Sequence, residues 1–152
     1  MRYTLLLAGS LLLLLISSCK SKDNQQDNKS ENNIDAARNF IRAALDGKFN
    51  EARTFLVADS INSNWMDVAE RSYQRTEQAV KDGYRSSSIN IHQVKPVDDS
   101  TAIIIFSNSF KNDHDTLKVL KIAGQWLVDF KYLYEHSADT LANKPVTNDT
   151  LK

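Results

Sequence analysis

The sequence predicts an α+β domain in which N-terminal helices pack on a curved four-stranded antiparallel meander sheet. Three observations carry this expectation. Apolar residues recur about every four positions from Ala36 to Tyr84, the period falls to two past Ser86, and the later apolar runs are joined by short turn-like segments. The domain is expected over residues 34–134, a stretch of about 100 residues that suits one core.

The first 18 residues have another character. Arg2 precedes the run Leu5 to Ile16, and the small pair Ser17 and Ser18 stands before Cys19. A positive start, a short apolar core and small residues at the end are the layout of a secretory signal. The run holds 12 residues, too few for the roughly 20 that a membrane-spanning helix needs. Ile16-Ser17-Ser18-Cys19 resembles the bacterial lipobox, in which the cysteine receives a diacylglyceryl group. That resemblance implies cleavage before Cys19 and attachment to a membrane through lipid on it. A free thiol is the alternative, and it would leave the chain's one cysteine reactive and unpartnered in an oxidising compartment. Lys20 follows, whereas an Asp there resembles the inner-membrane retention signal of enteric bacteria, so the outer membrane of the cell envelope is the expected location.

Residues 19–33 are expected to be a flexible tether. Lys20 to Asn33 includes no aliphatic or aromatic side chain, and so has no apolar area with which to offset its conformational entropy. As a coil its root-mean-square reach is about 20 Å. Removal of Arg2 leaves 18 basic against 19 acidic residues, a balance that gives no reason to expect nucleic acid or an anionic surface as partner.

Helix one follows from Ala36, Ala37, Phe40, Ile41, Ala44 and Leu45 at helical spacing, with Gly47 placed for a left-handed C-terminal cap. Phe49, Ala52, Phe55 and Leu56 mark a shorter second helix. Asp59 or Ser60 caps a third, whose stripe runs Ile61, Trp65, Ala69, Tyr73, Thr76, Val80 and Tyr84, with Gly83 at its end. Its polar faces suit solvent.

Ile89 to Val97, Thr101 to Phe110, Thr116 to Ile122 and Trp126 to Tyr134 are expected as strands, being rich in β-branched and aromatic residues. On the last, Trp126, Val128, Phe130, Tyr132 and Tyr134 share the face expected to meet the helices, which leaves Asp129 with Lys131 on the outer face. The tail, residues 135–152, returns to polar residues and is expected to be disordered.

Helices followed by a meander, with Gly124-Gln125-Trp126-Leu127-Val128 entering the last strand, resemble the nuclear transport factor two-like cone fold. The segment Ala36 to Leu56, with its Gly-Lys-Phe-Asn-Glu-Ala turn, is similar to small bacterial lipoprotein domains of unknown function in that superfamily. The resemblance implies a cone-like sheet whose outer face is often a homodimer interface, for which Ile103, Ile105, Leu120, Leu127 and Leu133 could supply an apolar patch; the same residues could instead lie under another element of the chain. It also implies a comparison with isomerases and dehydratases that keep an acid or base inside the cone.

Residue by residue, chemistry is sparse. Proton abstraction needs a buried base with a tuned pKa, and the strand alternation offers no interior carboxylate. His92, His114 and His136 are far apart in sequence, and Asp113-His114-Asp115 reads as a turn, so no metal site is expected. Gly47, Gly83 and Gly124 are isolated, no phosphate loop or Gly-x-Ser-x-Gly elbow is present, and no cofactor is expected. Trp65, Tyr73, Phe106, Trp126, Phe130 and Tyr132 either line a small-ligand pocket or fill the core. Five triplets resemble the Asp-Ser/Thr-aliphatic acceptor for O-glycans of some envelope proteins, at Ser60, Ser100, Thr116, Thr140 and Thr150; Asp-Ser and Asp-Thr also mark ordinary turns and caps.

The functional expectation is a non-enzymatic envelope lipoprotein, tethered and binding a small ligand or a protein partner. The alternative is a lipid-anchored isomerase- or dehydratase-like enzyme acting on a small hydrophobic substrate. A titratable side chain facing the cavity separates the two.

Overall fold

The computed structural model describes residues 30–142. Expectations for the leader, Cys19, most of the tether and Thr150 lie outside the described residues. The elements run α1 (Asn33–Leu45), α2 (Phe49–Thr54), α3 (Ser60–Arg75), α4 (Gln78–Ser86), β1 (Ile89–Asp98), β2 (Thr101–Asn108), β3 (Asp115–Ile122), β4 (Gln125–Asp129) and α5 (Lys131–Ala142). The sheet is antiparallel throughout in the order β1-β2-β3-β4, so the α+β class and the meander are as the periodicity predicts.

Helix α1 begins where Asn32 Oδ1 accepts the backbone N–H groups of Ile34 and Asp35, an N-cap that satisfies two otherwise unpaired donors. It ends at Gly47, whose φ of 75° is the left-handed geometry expected there. The Lys48 N–H reaches back to the Ala43 carbonyl at 2.9 Å. The ring of Tyr73 lies 2.7 Å from where a Cβ on Gly47 would stand, so both backbone and packing require glycine. Ala36, Ala37, Phe40, Ile41 and Ala43 are buried against the sheet, whose inward residues include Ala102, Ile104 and Phe106 on β2, Leu117 and Val119 on β3 and Val128 on β4.

The sheet's two edges are treated differently. Residues 55–57 run along β4: Val128 N–H donates to the Phe55 carbonyl at 2.7 Å, and Val57 N–H donates to the Val128 carbonyl at 2.9 Å. That edge is therefore covered. At the other edge, β1 carries two register shifts, at His92 and Val97, together with Pro96. Bulges and proline bend a strand and spoil it as a template for further pairing.

Three expectations are corrected. The predicted third helix is two helices, because Thr76 and Glu77 adopt extended backbone, with ψ of 143° and 149°. The apolar spacing continues across the break, so periodicity could not mark it; the Thr76 hydroxyl turns back to the Ser72 carbonyl at 3.0 Å. Gly83 is consequently not a terminator. It lies within α4, and the ring of Phe110 occupies the space where its Cβ would be.

The last predicted strand ends at Asp129, and α5 takes the chain on to Ala142, past the predicted boundary at Tyr134. The first N–H of α5, on Lys131, is accepted at 2.8 Å by Oδ1 of Asn62. An N-terminal helix donor is thus satisfied from α3, with no local capping side chain to be read in the sequence. Phe130, Leu133 and Tyr134, which period two would split between faces, all turn toward one cavity.

Asp129, expected on the outer face in solvent, is 4% exposed. It is covered by Asn62 at the start of α3 and by the ammonium groups of Lys131, at 3.2 Å, and Lys118, at 3.8 Å.

Candidate functional site

An open cavity of about 570 Å³ lies between the helices and the inner sheet face. Phe40 and Ile41 of α1 reach it from one side, Ala69 and Tyr73 of α3 from another, and Phe106 and Leu117 from the sheet. Phe130, Leu133 and Tyr134 close the end made by α5, and Tyr84 of α4 stands at the opposite rim. The walls are mainly apolar and aromatic, with polar groups at the end of α3, Ser72 and Thr76, and around the β2–β3 connection, Asn108, Lys111, Asp113 and Asp115. A concave apolar space with a few convergent polar groups has the composition of a small-molecule site.

The β2–β3 connection is shaped by its own hydrogen bonds. Asn108, buried at the end of β2, accepts the N–H groups of Phe110 and Lys111 through Oδ1, at 3.1 and 2.9 Å. The Asn112 N–H donates to the Asn108 carbonyl at 2.8 Å, and Asn112 takes a φ of 59°. On the far side, the imidazole of His114 stacks on that of His92, with ring centres 4.1 Å apart, and His92 Nε2 lies 2.8 Å from the buried hydroxyl of Ser107. Two histidines remote in sequence are thus neighbours, held by the β1 bulge.

This framework sets Asp115 at the start of β3, directly across the ladder from Phe106. Leu117 and Val119, two and four residues on, face the core. Side chains alternate along a strand, so Asp115 shares their inward face. Burial pushes its carboxyl above the ordinary range, and the neighbouring Asp113 adds to the rise against an opposing effect of His114. Tyr134 is pushed up as well, by burial first and then by the charge of Asp115.

The interior therefore does contain a carboxylate, contrary to the strand-by-strand expectation. The signal was present in the alternation Asp115, Leu117, Val119; reading 113–115 as a turn hid it, because the strand begins one residue earlier than expected.

Of the six aromatic residues predicted as a pocket, Tyr73, Phe106 and Phe130 line this cavity. Trp65 stands behind it, stacked on Tyr134 at 3.9 Å between ring centres and 7° between planes. Trp126 lies under the ammonium of Lys121 on the opposite part of the sheet, and Tyr132 stacks on His136. Phe49, Tyr84 and Tyr134 complete the aromatic lining. The Tyr73 hydroxyl donates to the Leu45 carbonyl at 3.3 Å, and its ring meets Phe49 edge-on.

The remaining predicted sites are dispersed. Ser60 and Ser100 are exposed at the start of α3 and in the β1–β2 turn, Thr116 is half-buried within β3, and Thr140 falls on α5. Ile103, Ile105, Leu120 and Leu127 are half-exposed on the strands, whereas Leu133 turns to the cavity.

A second polar cluster lies at the junction of α3, β4 and α5. Asp59 caps α3 by accepting the Asn62 N–H at 2.8 Å, and its other oxygen takes the Asn62 amide and the Lys131 ammonium. Those contacts, the Asn62 backbone bond foremost, hold the Asp59 carboxyl below the usual carboxylate range, and Asp59 in turn raises Lys131. The side chains of Asp59, Asn62, Asp129 and Lys131 bond to one another across three elements, so the cluster is a fastening between them.

No family model and no curated protein matches this chain. Among solved structures, it is similar to an NTF-2 like protein of unknown function from Shewanella oneidensis MR-1, with 12% sequence identity, a TM-score of 0.46, and 62% of this chain and 89% of that one covered.

Proposed function

We propose that this protein is a lipid-anchored binding domain of the bacterial envelope that takes a small, largely apolar molecule into the cavity between α1, α3, α5 and the sheet. The observation that carries the binding reading is an open, mainly apolar and aromatic cavity of about 570 Å³. Apolar walls supply affinity through burial, at about 25 cal/mol for each Å² of apolar surface removed from water. The polar rim at Asn108, Lys111 and Asp115 fixes orientation.

The anchoring reading rests on sequence: the Ile16-Ser17-Ser18-Cys19 resemblance, the single cysteine and the polar stretch that follows it. Two or more acyl chains hold a protein durably at a bilayer. Expression in a Gram-negative host, followed by fractionation and intact mass, tests it. Membrane recovery with a mass beginning at residue 19 plus acyl chains supports the anchor; soluble protein with its leader or a free thiol overturns it.

The binding reading is tested with a neutral apolar fluorophore such as Nile red. Saturable one-to-one binding, abolished when Ala69→Trp fills the cavity, is expected. Absence of saturable binding to the folded protein overturns it.

A second reading, the enzymatic one, is favoured by the feature expected to separate the two, a titratable side chain facing the cavity. Asp115 is an inward titratable group whose pKa is raised by burial, and a carboxylate shifted in that direction is suited to general acid or base work. Tyr134, electrostatically coupled to it, would be the hydrogen-bond donor to a carbonyl substrate. Catalysed exchange of a carbon-bound proton in small ketones, lost in Asp115→Asn, would establish this reading over simple binding.

A further inference from the structure

We infer that the molecule taken into the cavity carries a protonated amine, with Asp115 as its counter-ion; this rests on the binding reading above.

Three features of the cavity lead there. The first is the state of the Asp115 carboxylate. The chain pairs its other buried or half-buried carboxylates on the β4 side: Asp129 faces Lys118 and Lys131, and Asp59 faces Lys131 and Asn62. Asp115, by contrast, makes no side-chain hydrogen bond or ion pair among the described residues, and the adjacent His114 offsets only part of the effect of burial and of Asp113. A carboxylate turned inward and left without a partner is costly, and a ligand cation removes that cost.

The second is the material around it. Tyr73, Tyr84, Phe106, Phe130 and Tyr134 all line the same space. Aromatic faces attract a cation through their quadrupole, most strongly where water is excluded. Walls of this kind with a carboxylate turned inward suit an ammonium on an apolar body.

The third is the balance of charge. Lys111 and Asp113 are both exposed at the rim and opposite in sign, so they offset each other in the field they send inward. What remains inside is the negative charge of Asp115. An acid of the same shape would be brought against that charge. Burial raises the Asp115 pKa, and a cation beside the carboxylate acts in the opposite direction.

The test uses three probes with one carbon skeleton, 4-phenylbutylamine, 4-phenylbutanol and 4-phenylbutyric acid. Each is titrated calorimetrically at pH 7.5 into the full anchored chain in detergent. The amine is expected to bind at least about tenfold more tightly than the alcohol, in keeping with a hydrogen bond to a charged group. The acid is expected to bind more weakly than the alcohol. Asp115→Asn should bring the amine down to the alcohol's affinity in the same variant, while Asp115→Glu, which keeps the charge, should retain the preference. Far-UV circular dichroism checks that both variants fold.

An amine that binds no more tightly than the alcohol overturns the inference, and so does an amine preference that survives in Asp115→Asn. Either result leaves the cavity reading standing if Nile red still binds saturably. Loss of Nile red binding in the parent protein removes both.

Discussion

The side-chain amide of Asn62 donates to Oδ1 of Asp129 at 3.1 Å, across 67 residues of sequence. Asn62 is 0% exposed. Its amide also reaches Asp59, its carbonyl oxygen accepts the Lys131 N–H, and its own backbone N–H is taken by Asp59. One side chain therefore joins the start of α3, the end of β4 and the start of α5.

Asn62→Ala should be among the most destabilising single changes in the domain. It removes three side-chain hydrogen bonds and leaves the Lys131 N–H with no acceptor, a combination of lost bonds and a stranded buried donor that costs about 2–4 kcal/mol. Urea denaturation is the measurement. A loss below about 0.5 kcal/mol, the scale of an ordinary surface change, would show that α5 does not depend on this fastening.

The same cluster makes stability sensitive to acid. The folded pKa of Asp59 lies below its ordinary value, so its contribution is present above the unfolded pKa, about 3.9, and is lost as pH falls through the folded value. Asp59→Asn should lower the melting temperature at pH 6–7 and converge with the parent as the pH falls through the folded value of Asp59. A constant difference across that range would argue against the charged form as the stabilising one.

Asp115 has the opposite sign. Its folded pKa is raised, so the unliganded domain is most favoured below the unfolded pKa and loses stability as pH rises through the folded value. Asp115→Asn is expected to raise the melting temperature at neutral pH, with the gap closing toward pH 4 and below. Stabilisation by removal of an inward charge is the signature of a group kept for binding or catalysis.

Ala123 and Gly124 form the β3–β4 turn with φ of 49° and 81°. Positive φ at both central positions is what a type I′ hairpin turn requires, and asparagine tolerates the first far better than alanine does. Ala123→Asn should stabilise the domain by about 0.5–1 kcal/mol, read from the denaturation midpoint. Gly47→Ala should do the reverse, costing about 1–2 kcal/mol at a left-handed cap crowded by Tyr73.

How far the sequence reveals this molecule depends on where each signal resides. Helix α1, its glycine cap and the meander are local matters, set by periodicity and by residues that neighbour one another in the chain, and they are legible. The α3–α4 break and the start of α5 depend on hydrogen bonds that run elsewhere: one from Thr76 back to Ser72, the other from Lys131 to Asn62. Their apolar spacing fits an unbroken helix and an unbroken strand equally well. The cavity was half legible. Helical spacing marks Tyr73 and strand alternation marks Phe106 and Phe130, whereas period two places Tyr134 on a strand and the Asp113-His114-Asp115 turn signal masks Asp115, although its place two before Leu117 puts it on the core face. His92 and His114 meet only because a bulge in β1 swings one toward the other.

Helix α4 buries no residue of its own. Its C-terminal end is held by Arg42 of α1, which donates to the carbonyls of Ser87 and Tyr84 at 2.8 and 3.0 Å, and its middle by Phe110 seated on Gly83. Apart from those anchors, its exposed positions are free to change in evolution with little penalty to the core. The doorway of the cavity can thus be remodelled for a new guest while the house behind it stays as it was.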